Sequence, residues 1–342
     1  MKQNYLFLAL TCCMYMLACQ KQLEPIDNSK NGIAPQSLLN IKNNSGHIKL
    51  AVLSDIHYMH PSLIVNNGIS GTEFQKMLDL NPNKALLEYS VPIFESVLDA
   101  ILIEKPDILL IAGDLTKDGE LVGAQAVAEK LKALKDAGIK IYLVPGNNDI
   151  NNNSSFLYDG NTRTPVPNTS PAQYEEIFSD FGFASAISRD ASSLSYVAEP
   201  FEGLRILAID AAKYSPTYSR SGKIKPATMQ WIIQQMNEAK EQNITVLGMM
   251  HHNLIEHLTD QTKVMPGTVV DDWSTKSDNA DMLIAAGLKV IFTGHNHSND
   301  ITMRVTNGDT LYDVETGSLV AAPSPYRIMT LKNKELDIET RY

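Results

Sequence analysis

Leu288-Lys289-Val290-Ile291-Phe292-Thr293 runs directly into Gly294-His295-Asn296-His297. The run is short, apolar and β-branched and does not alternate with polar residues, so it predicts a strand buried on both faces. Two imidazoles then stand two residues apart where that strand must break. Working outward, the arrangement recurs. Ile48-Lys49-Leu50-Ala51-Val52-Leu53 ends in Ser54-Asp55-Ile56-His57, and Asp107-Ile108-Leu109-Leu110-Ile111 is followed by Gly113-Asp114. Ile139-Lys140-Ile141-Tyr142-Leu143-Val144-Pro145 leads to Gly146-Asn147-Asn148-Asp149, and Ile244-Thr245-Val246-Leu247 to Met250-His251-His252-Asn253. Helical spacing between the early runs completes strand–helix–strand units, which predicts an α/β fold. Open α/β sheets carry their sites at the carboxyl ends of the strands, so these Asp, His and Asn residues are expected at one end of a sheet.

The chain has 342 residues, 44% of them hydrophobic, enough to bury one large core. A formal net charge of −10, a pI near 5.3 and the absence of a basic run argue against long nucleic acid as a partner. A metal's local charge can still hold a small anion, so phosphate esters stay open. At the N-terminus, Lys2 precedes an apolar stretch over 5–17 and then Ala18-Cys19-Gln20. That stretch is too short for a comfortable membrane span and has the layout of an export signal. All three cysteines, Cys12, Cys13 and Cys19, lie here. The body that follows therefore has no disulfide and no thiolate ligand, and any metal must be held by nitrogen and oxygen. Residues 1–18 are expected to be the signal, 19–46 a flexible polar tether, and 47–342 one domain. Met16-Leu17-Ala18-Cys19 resembles a bacterial lipoprotein cleavage box, which implies that Cys19 becomes a lipidated first residue. The expected location is the bacterial cell envelope, with the exported chain anchored to the membrane through Cys19. No protein partner is predicted.

Helices are predicted over 84–104, 120–137, 171–181, 226–242 and 275–286. Strands are predicted over 193–197 and 204–209, joined about Glu202-Gly203, and short alternating strands from 301 onward. The polar segments 58–83, 150–170, 214–225 and 254–274 read as loops over the face that carries the site, where substrate choice would be made. Tyr58, Tyr158, Tyr214 and Trp273 lie in them, able either to stack on a base or sugar or to pack the loops down. His47 and His257 read as solvent-facing, and His60 as structural or idle.

Counting hard donors at the strand ends gives Asp55, His57, Asp114, Asn147, His251, His295 and His297. This is about what two adjacent divalent ions need if one carboxylate bridges them. Mixed carboxylate, amide and imidazole donors suit Mn, Fe or Zn better than Ca. Taken singly each motif is ordinary, since Asp-x-His and Gly-Asp are common turn and capping pairs. The ordered set carries the signal. Asp149 reads as a structural acceptor orienting its loop.

In that order, Asp55-x-His57, Gly113-Asp114, Gly146-Asn147-x-Asp149, His251 and Gly294-His295-x-His297 resemble the calcineurin-like metallophosphoesterases, over roughly 48–342. The resemblance implies a four-layer α-β-β-α sandwich of two mixed sheets with a dinuclear metal site at the strand ends. It implies one metal on Asp55, His57, Asp114 and His297, and a second on Asp114, Asn147, His251 and His295. Asp114 would bridge, and a hydroxide shared by the ions would attack phosphorus in line. Choosing His251 over His252 follows the family's strand-Met-His pattern. The stretches Ser54-Asp55-Ile56-His57-Tyr58 and Gly113-Asp114-Leu115-Thr116 are also similar to secreted bacterial phosphodiesterases, some of which act on cyclic nucleotides.

One position departs from the pattern. The family's motif is Gly-Asn-His-Asp/Glu, and its His protonates or steadies the leaving oxygen. Here that residue is Asn148, which can hydrogen-bond but cannot donate a proton near neutral pH. Losing general-acid help costs about 10²–10⁴-fold in rate, less for weakly basic leaving groups. His252 and His60 are the candidates to replace it, so Asn148 and His252 are the catalytic candidates. The expected function is metal-dependent hydrolysis of a small phosphate ester, with phosphodiesters favoured. The alternatives are a phosphomonoesterase or nucleotidase, and a surface lipoprotein that binds a phosphorylated ligand with impaired turnover.

Overall fold

The continuous apolar runs form buried strands. The computed structural model describes residues 46–66, 72–270 and 279–342. The expected signal, nearly all of the tether with Cys19, and Trp273 lie outside the described residues. In chain order the elements are β1 (Ile48–Leu53), β2 (Ile64–Val65), α1 (Glu73–Asp79), α2 (Ser90–Glu104), β3 (Ile108–Ile111), α3 (Leu121–Asp136) and β4 (Lys140–Leu143). There follow β5 (Phe156–Asp159), β6 (Thr162–Pro165), α4 (Pro171–Ile177), β7 (Ala186–Arg189), β8 (Tyr196–Phe201), β9 (Leu204–Ile209), α5 (Pro226–Glu241) and β10 (Thr245–Met250). The last are α6 (Gln261–Val264), α7 (Asn279–Ala285), β11 (Val290–Thr293), β12 (Asp300–Thr306), β13 (Asp309–Glu315), β14 (Tyr326–Lys332) and β15 (Glu335–Arg341).

Two mixed sheets result. One has the order β15-β14-β1-β3-β4, the other β12-β13-β11-β10-β9-β8-β7. Within them β1, β3 and β4 run parallel, as do β9, β10, β11 and β13. Side chains of a strand alternate between faces, and the second sheet uses both. Ile206, Ala208, Met249 and Phe292 pack toward the first sheet in one core. Their neighbours Leu207, Ile209, Met250 and Ile291 pack with Ile232 and Met236 of α5 and Leu283 and Ile284 of α7. Phe94 and Ile101 of α2 and Val127 and Leu131 of α3 join the core of the first sheet. The layers are helix, sheet, sheet, helix, as the resemblance implied.

Several features differ from the sequence reading. The helix expected from residue 84 starts at Ser90, and the chain before it makes two single 3-10 turns, Pro82–Lys84 and Leu87–Tyr89. Pro92 lies in the first turn of α2, and its ring bars a regular helix from extending further upstream. The segment 150–170, read as loop, contains the β5–β6 hairpin, which pairs with β2 in a third sheet of order β2-β5-β6. Thr162–Pro165 is exposed throughout and has no apolar alternation to mark it. The strand ends converge from the two sheets, as the two-sheet sandwich of the resemblance implied. No helix among the described residues is long and apolar enough to cross a membrane.

Candidate metal centre

Strand register brings the donors level. Leu53 pairs with Ile111 and Ile111 with Leu143, so Asp55, Asp114 and Asn147 follow adjacent strand ends of the first sheet. Met249 pairs with Phe292, placing His251 beside the turn of His295 and His297 in the second. Hydrogen bonds then tie the two sheets together at the site. His251 Nδ1–H donates to Ala112 O at 2.8 Å, and the His295 backbone N–H to Asp55 Oδ2 at 2.9 Å. Ser54 Oγ–H also donates to Asp55 Oδ2, at 2.6 Å.

The backbone is strained at these residues. Asp55, His57, Asp114, His295 and His297 all have positive φ, at 50°, 45°, 51°, 77° and 62°. Each non-glycine residue held there costs of order 1–3 kcal/mol and persists only where its surroundings over-determine it. Five together approach the ~5–15 kcal/mol net stability of a domain. That cost turns the side chains inward. Gly146 makes room for them: a Cβ on it would lie 2.1 Å from Asp114 Oδ1 and 2.3 Å from the Asp114 backbone nitrogen.

Asp55, Asp114, His57 and His251 are buried, and the donor atoms face one another. Asp55 Oδ1 is buried without a hydrogen bond, 3.4 Å from His297 Nε2 and 3.7 Å from His57 Nε2. His57 Nε2 and His297 Nε2 are 3.0 Å apart. Asp114 Oδ2 lies 3.7 Å from His57 Nε2 on one side and 3.4 Å from His251 Nε2 on the other. His251 Nε2 is in turn 3.2 Å from Asn147 Oδ1 and 3.2 Å from His295 Nδ1. Asp55, His57 and His297 form one tight ligand group, and Asp55, Asp114 and His251 another. Ring nitrogens pointed at each other, with an orphaned carboxylate oxygen between them, are poorly satisfied by protons alone and well satisfied by cations. The donor set fits two divalent ions, and Asp114 Oδ2 lies between the His57 and His251 ring nitrogens. All seven expected donors are brought together.

Electrostatics agree. Burial alone would raise the Asp55 and Asp114 carboxyls, but the His251 imidazole, joined by His297 at Asp55 and His57 at Asp114, holds both below the usual range. Burial would lower His251, yet Asp114 and Asp55 push it up to about 9. Burial and the Lys84 charge hold His57 well below its ordinary value, and burial with His252 and His251 does the same to His295. The metal-free centre therefore keeps a proton on His251 at neutral pH, and a metal taking Nε2 must expel it. Metal affinity should rise with pH toward about 9, by up to about tenfold per unit for one released proton. Mn²⁺ titration calorimetry at pH 6, 7 and 8, in buffers of different ionisation enthalpy, counts that proton. A flat affinity with no proton release would refute the assignment.

The catalytic candidates look different in three dimensions. The Asn148 backbone N–H donates to Asp114 Oδ1 at 2.7 Å and its side-chain Nδ2 to Asp114 Oδ2 at 2.6 Å. Asn148 thus orients the Asp114 carboxylate. His252 is fully buried, with burial and His251 lowering it to about 3, and its Nε2–H is used on Arg220 O at 2.9 Å. A ring kept neutral, its one N–H engaged, is not placed to protonate a leaving group. His60 Nδ1 accepts from Ser62 N and caps the 3-10 turn Pro61–Leu63. Asp149 accepts from Thr116 N, Thr116 Oγ1 and Gly146 N, holding the loop as its sequence position suggested.

His47 is exposed, but His257 is not the solvent-facing residue expected. Its side chain is 3% exposed, with Nδ1 3.0 Å from Asp300 Oδ2 and Nε2 3.5 Å from Asp313 Oδ1. Asp313 also accepts from Leu254 N and Ile255 N, which folds that loop back onto β13. The loop aromatics are packed down. Tyr58 stacks edgewise on Phe94, Tyr158 accepts from Lys117 Nζ at 2.9 Å, and Tyr214 donates to Asp210 at 2.7 Å. Sequence reasoning missed Asn83, whose carbonyl accepts His297 Nδ1–H at 2.9 Å, and Tyr218, whose hydroxyl sits against Asn147. Both lie in loops without periodicity, so no pattern marked them.

A family model described as calcineurin-like phosphoesterase matches residues 48–299. Among solved structures, a dimetal phosphatase from Danio rerio is 11% identical, with a TM-score of 0.57, over 86% of this chain and 96% of its own. The sulfate thiohydrolase SoxB of Thermus thermophilus, in complex with glycerol, is 12% identical with a TM-score of 0.42, over 85% of this chain and 56% of its own. The first of these shows a shared fold. No curated protein matches the chain.

Proposed function

Because the chain belongs to the calcineurin-like phosphoesterase family, we propose that it is a phosphodiesterase. At the coarser level it is a metal-dependent phosphoester hydrolase whose cofactor is two divalent metal ions. The observation that carries the reading is the convergence of seven donors from two sheets, with Asp114 Oδ2 between His57 Nε2 and His251 Nε2. In this reading Asp55, His57, Asp114 and His297 hold one ion, and Asp114, Asn147, His251 and His295 the other, with Mn, Fe or Zn the metals the donors suit. Bound there, the ions supply Lewis-acid charge for the phosphoryl oxygens and an activated water at neutral pH. The chain's own work is orientation. Asn148 fixes both oxygens of Asp114, Ser54 and the His295 amide fix Asp55, and Ala112 O fixes the His251 ring.

Asn148 supports the choice of diesters. Phosphoryl transfer from a monoester passes through a loose transition state that loads charge on the leaving oxygen, where this chain offers no proton at position 148. The test is hydrolysis of bis-p-nitrophenyl phosphate against p-nitrophenyl phosphate, with Mn²⁺ and then with chelator. Metal-dependent cleavage favouring the diester is the expected result; preference for the monoester would move the assignment to a phosphomonoesterase. Asn148→His should speed a diester with an alkoxide leaving group by about tenfold or more while changing p-nitrophenolate release little. An equal effect on both would remove the missing-acid argument. The same asparagine favours a second reading, a phospho-ligand binder, which two bound metals without turnover would establish. The cell-envelope location and lipid anchor at Cys19 belong to the proposal too. Labelled palmitate incorporated by wild type and not by Cys19→Ser would support them.

A further inference from the structure

β13 supplies none of the seven donors, yet it carries a carboxylate bonded to both donor segments of the second sheet. Asp313 is fully buried and in register with Ile291 of β11. Its Oδ2 accepts Leu254 N–H at 2.8 Å and Ile255 N–H at 3.1 Å, three and four residues after His251. Its Oδ1 accepts Thr293 Oγ1–H at 2.5 Å, two residues before His295. One side chain thus holds the chain just beyond one imidazole donor and just ahead of two others.

The paired register of β10 and β11 ends at Met249 and Phe292, and Gly294 N–H to His251 O at 2.9 Å continues the contact. Buried side chains carry it further. Thr293 Oγ1, its proton given to Asp313, accepts from Asn253 Nδ2 at 3.1 Å, and the same Nδ2 donates to Gly294 O at 3.3 Å. Asn253 Oδ1 accepts from Gln261 Nε2 at 3.1 Å and from Asn296 Nδ2. Thr293, Asn253 and Gln261 are fully buried, and Asn296 stands between His295 and His297. The direction of every bond is set at its source. A carboxylate only accepts, so the Thr293 hydroxyl donates to it and turns a lone pair to Asn253, which fixes the Asn253 amide. The counter-charge is His257, whose Nε2 lies 3.5 Å from Asp313 Oδ1. A buried ion pair is weak evidence for stability, since apolar side chains of the same volume often pack there equally well. What an apolar side chain could not do is hold three donors on two segments.

We propose that Asp313 is a positioning residue for the metal centre: by holding Leu254, Ile255 and Thr293 it fixes where His251 and His295 present their ring nitrogens. This rests on the two-metal reading above and goes beyond its donors. The test uses the full chain, with Mn²⁺ affinity measured by calorimetry and the visible absorption of the Co²⁺-loaded protein as a report on ligand geometry. Asp313→Asn keeps the shape but replaces one accepting oxygen with an NH₂ group. It should weaken Mn²⁺ by about tenfold or more and shift the Co²⁺ band, since partners that orient ligands contribute about 10–100-fold to metal affinity. Thr293→Val suits a strand and removes only the Oδ1 contact, so it should act in the same direction with a smaller loss. Asp309→Asn, at an exposed carboxylate of the same strand paired with Lys289, is the control and should leave affinity and band at wild-type values. Melting of the metal-free variants reports folding. A residue that only stabilised the fold would lower the melting temperature and leave the affinity and the band of the folded chain unchanged; that outcome for Asp313→Asn would overturn the proposal. Should Asp313→Asn not fold, Thr293→Val decides, and a wild-type affinity and band there would overturn it equally. Binding and turnover fail separately. Weakened metal binding in the variants of a wild type that hydrolyses no ester leaves this inference standing and sinks the hydrolase, whereas hydrolysis with metal binding indifferent to Asp313 does the reverse.

Discussion

Asp114→Ala is expected to abolish tight binding of the metal pair and to lower metal-dependent ester hydrolysis by about 10³-fold or more. A Lewis-acid ion contributes several kcal/mol of transition-state stabilisation, and each 1.36 kcal/mol is tenfold in rate. Asp114 differs from the other donors because its Oδ2 lies between His57 Nε2 and His251 Nε2, at 3.7 and 3.4 Å, so its loss reaches both halves of the centre. It also removes the main charge that holds the His251 proton, so the pH dependence of whatever metal binding remains should flatten. Thermal melting supplies a second readout. Wild type at about 100 times its metal dissociation constant gains roughly 2.7 kcal/mol from binding, and the variant should gain none. Asp114→Asn keeps the shape without the charge and separates loss of the ligand from loss of packing. A variant still binding two ions with wild-type affinity would remove Asp114 from the centre.

Gly146→Ala should cripple the site without replacing a metal donor. Its Cβ would meet the Asp114 carboxylate at 2.1 Å and the Asp114 backbone nitrogen at 2.3 Å. A carboxylate can swing aside, but a backbone nitrogen moves only if the β3 end moves. That end also carries Gly113 O, which accepts Asp55 N–H at 3.0 Å, and Asp114 O, which accepts His57 N–H at 2.9 Å. Displacing it shifts three donors together. Overpacking of this kind costs about 1–3 kcal/mol, and misplaced support around a metal costs about 10–100-fold in affinity. Mn²⁺ titration with melting curves, with and without metal, checks both numbers. A full wild-type affinity in a folded variant would show that close approach at Gly146 does not position Asp114.

The limits of sequence reading are visible residue by residue. His57 and His297 are 240 positions apart in the chain yet 3.0 Å apart at their ring nitrogens. Each was still marked locally, by the end of a buried β-branched run. Lys84 was read as the start of a helix, because apolar spacing continues upstream of Pro92 and the helix start is a question of ring sterics and tertiary packing. His257 sits in a polar segment, and only the Asp313 carboxylate on a distant strand draws it inside. His252 is adjacent to a donor and chemically identical to it, and the Arg220 carbonyl that occupies its N–H comes from a loop with no periodicity.

Strand runs, the polar residues that terminate them and the inventory of hard donors are local properties, decided by side-chain type and spacing within a few residues. The sequence by itself therefore determined the α/β class and the inventory of candidate donors, and the resemblance it carries marked the departure at Asn148. Tertiary structure alone decided that Asn148 braces Asp114 through both carboxylate oxygens and that His252 is sealed. Those outcomes depend on pairing between distant segments and on loop paths set by single hydrogen bonds, and neither leaves a period in the chain to be read.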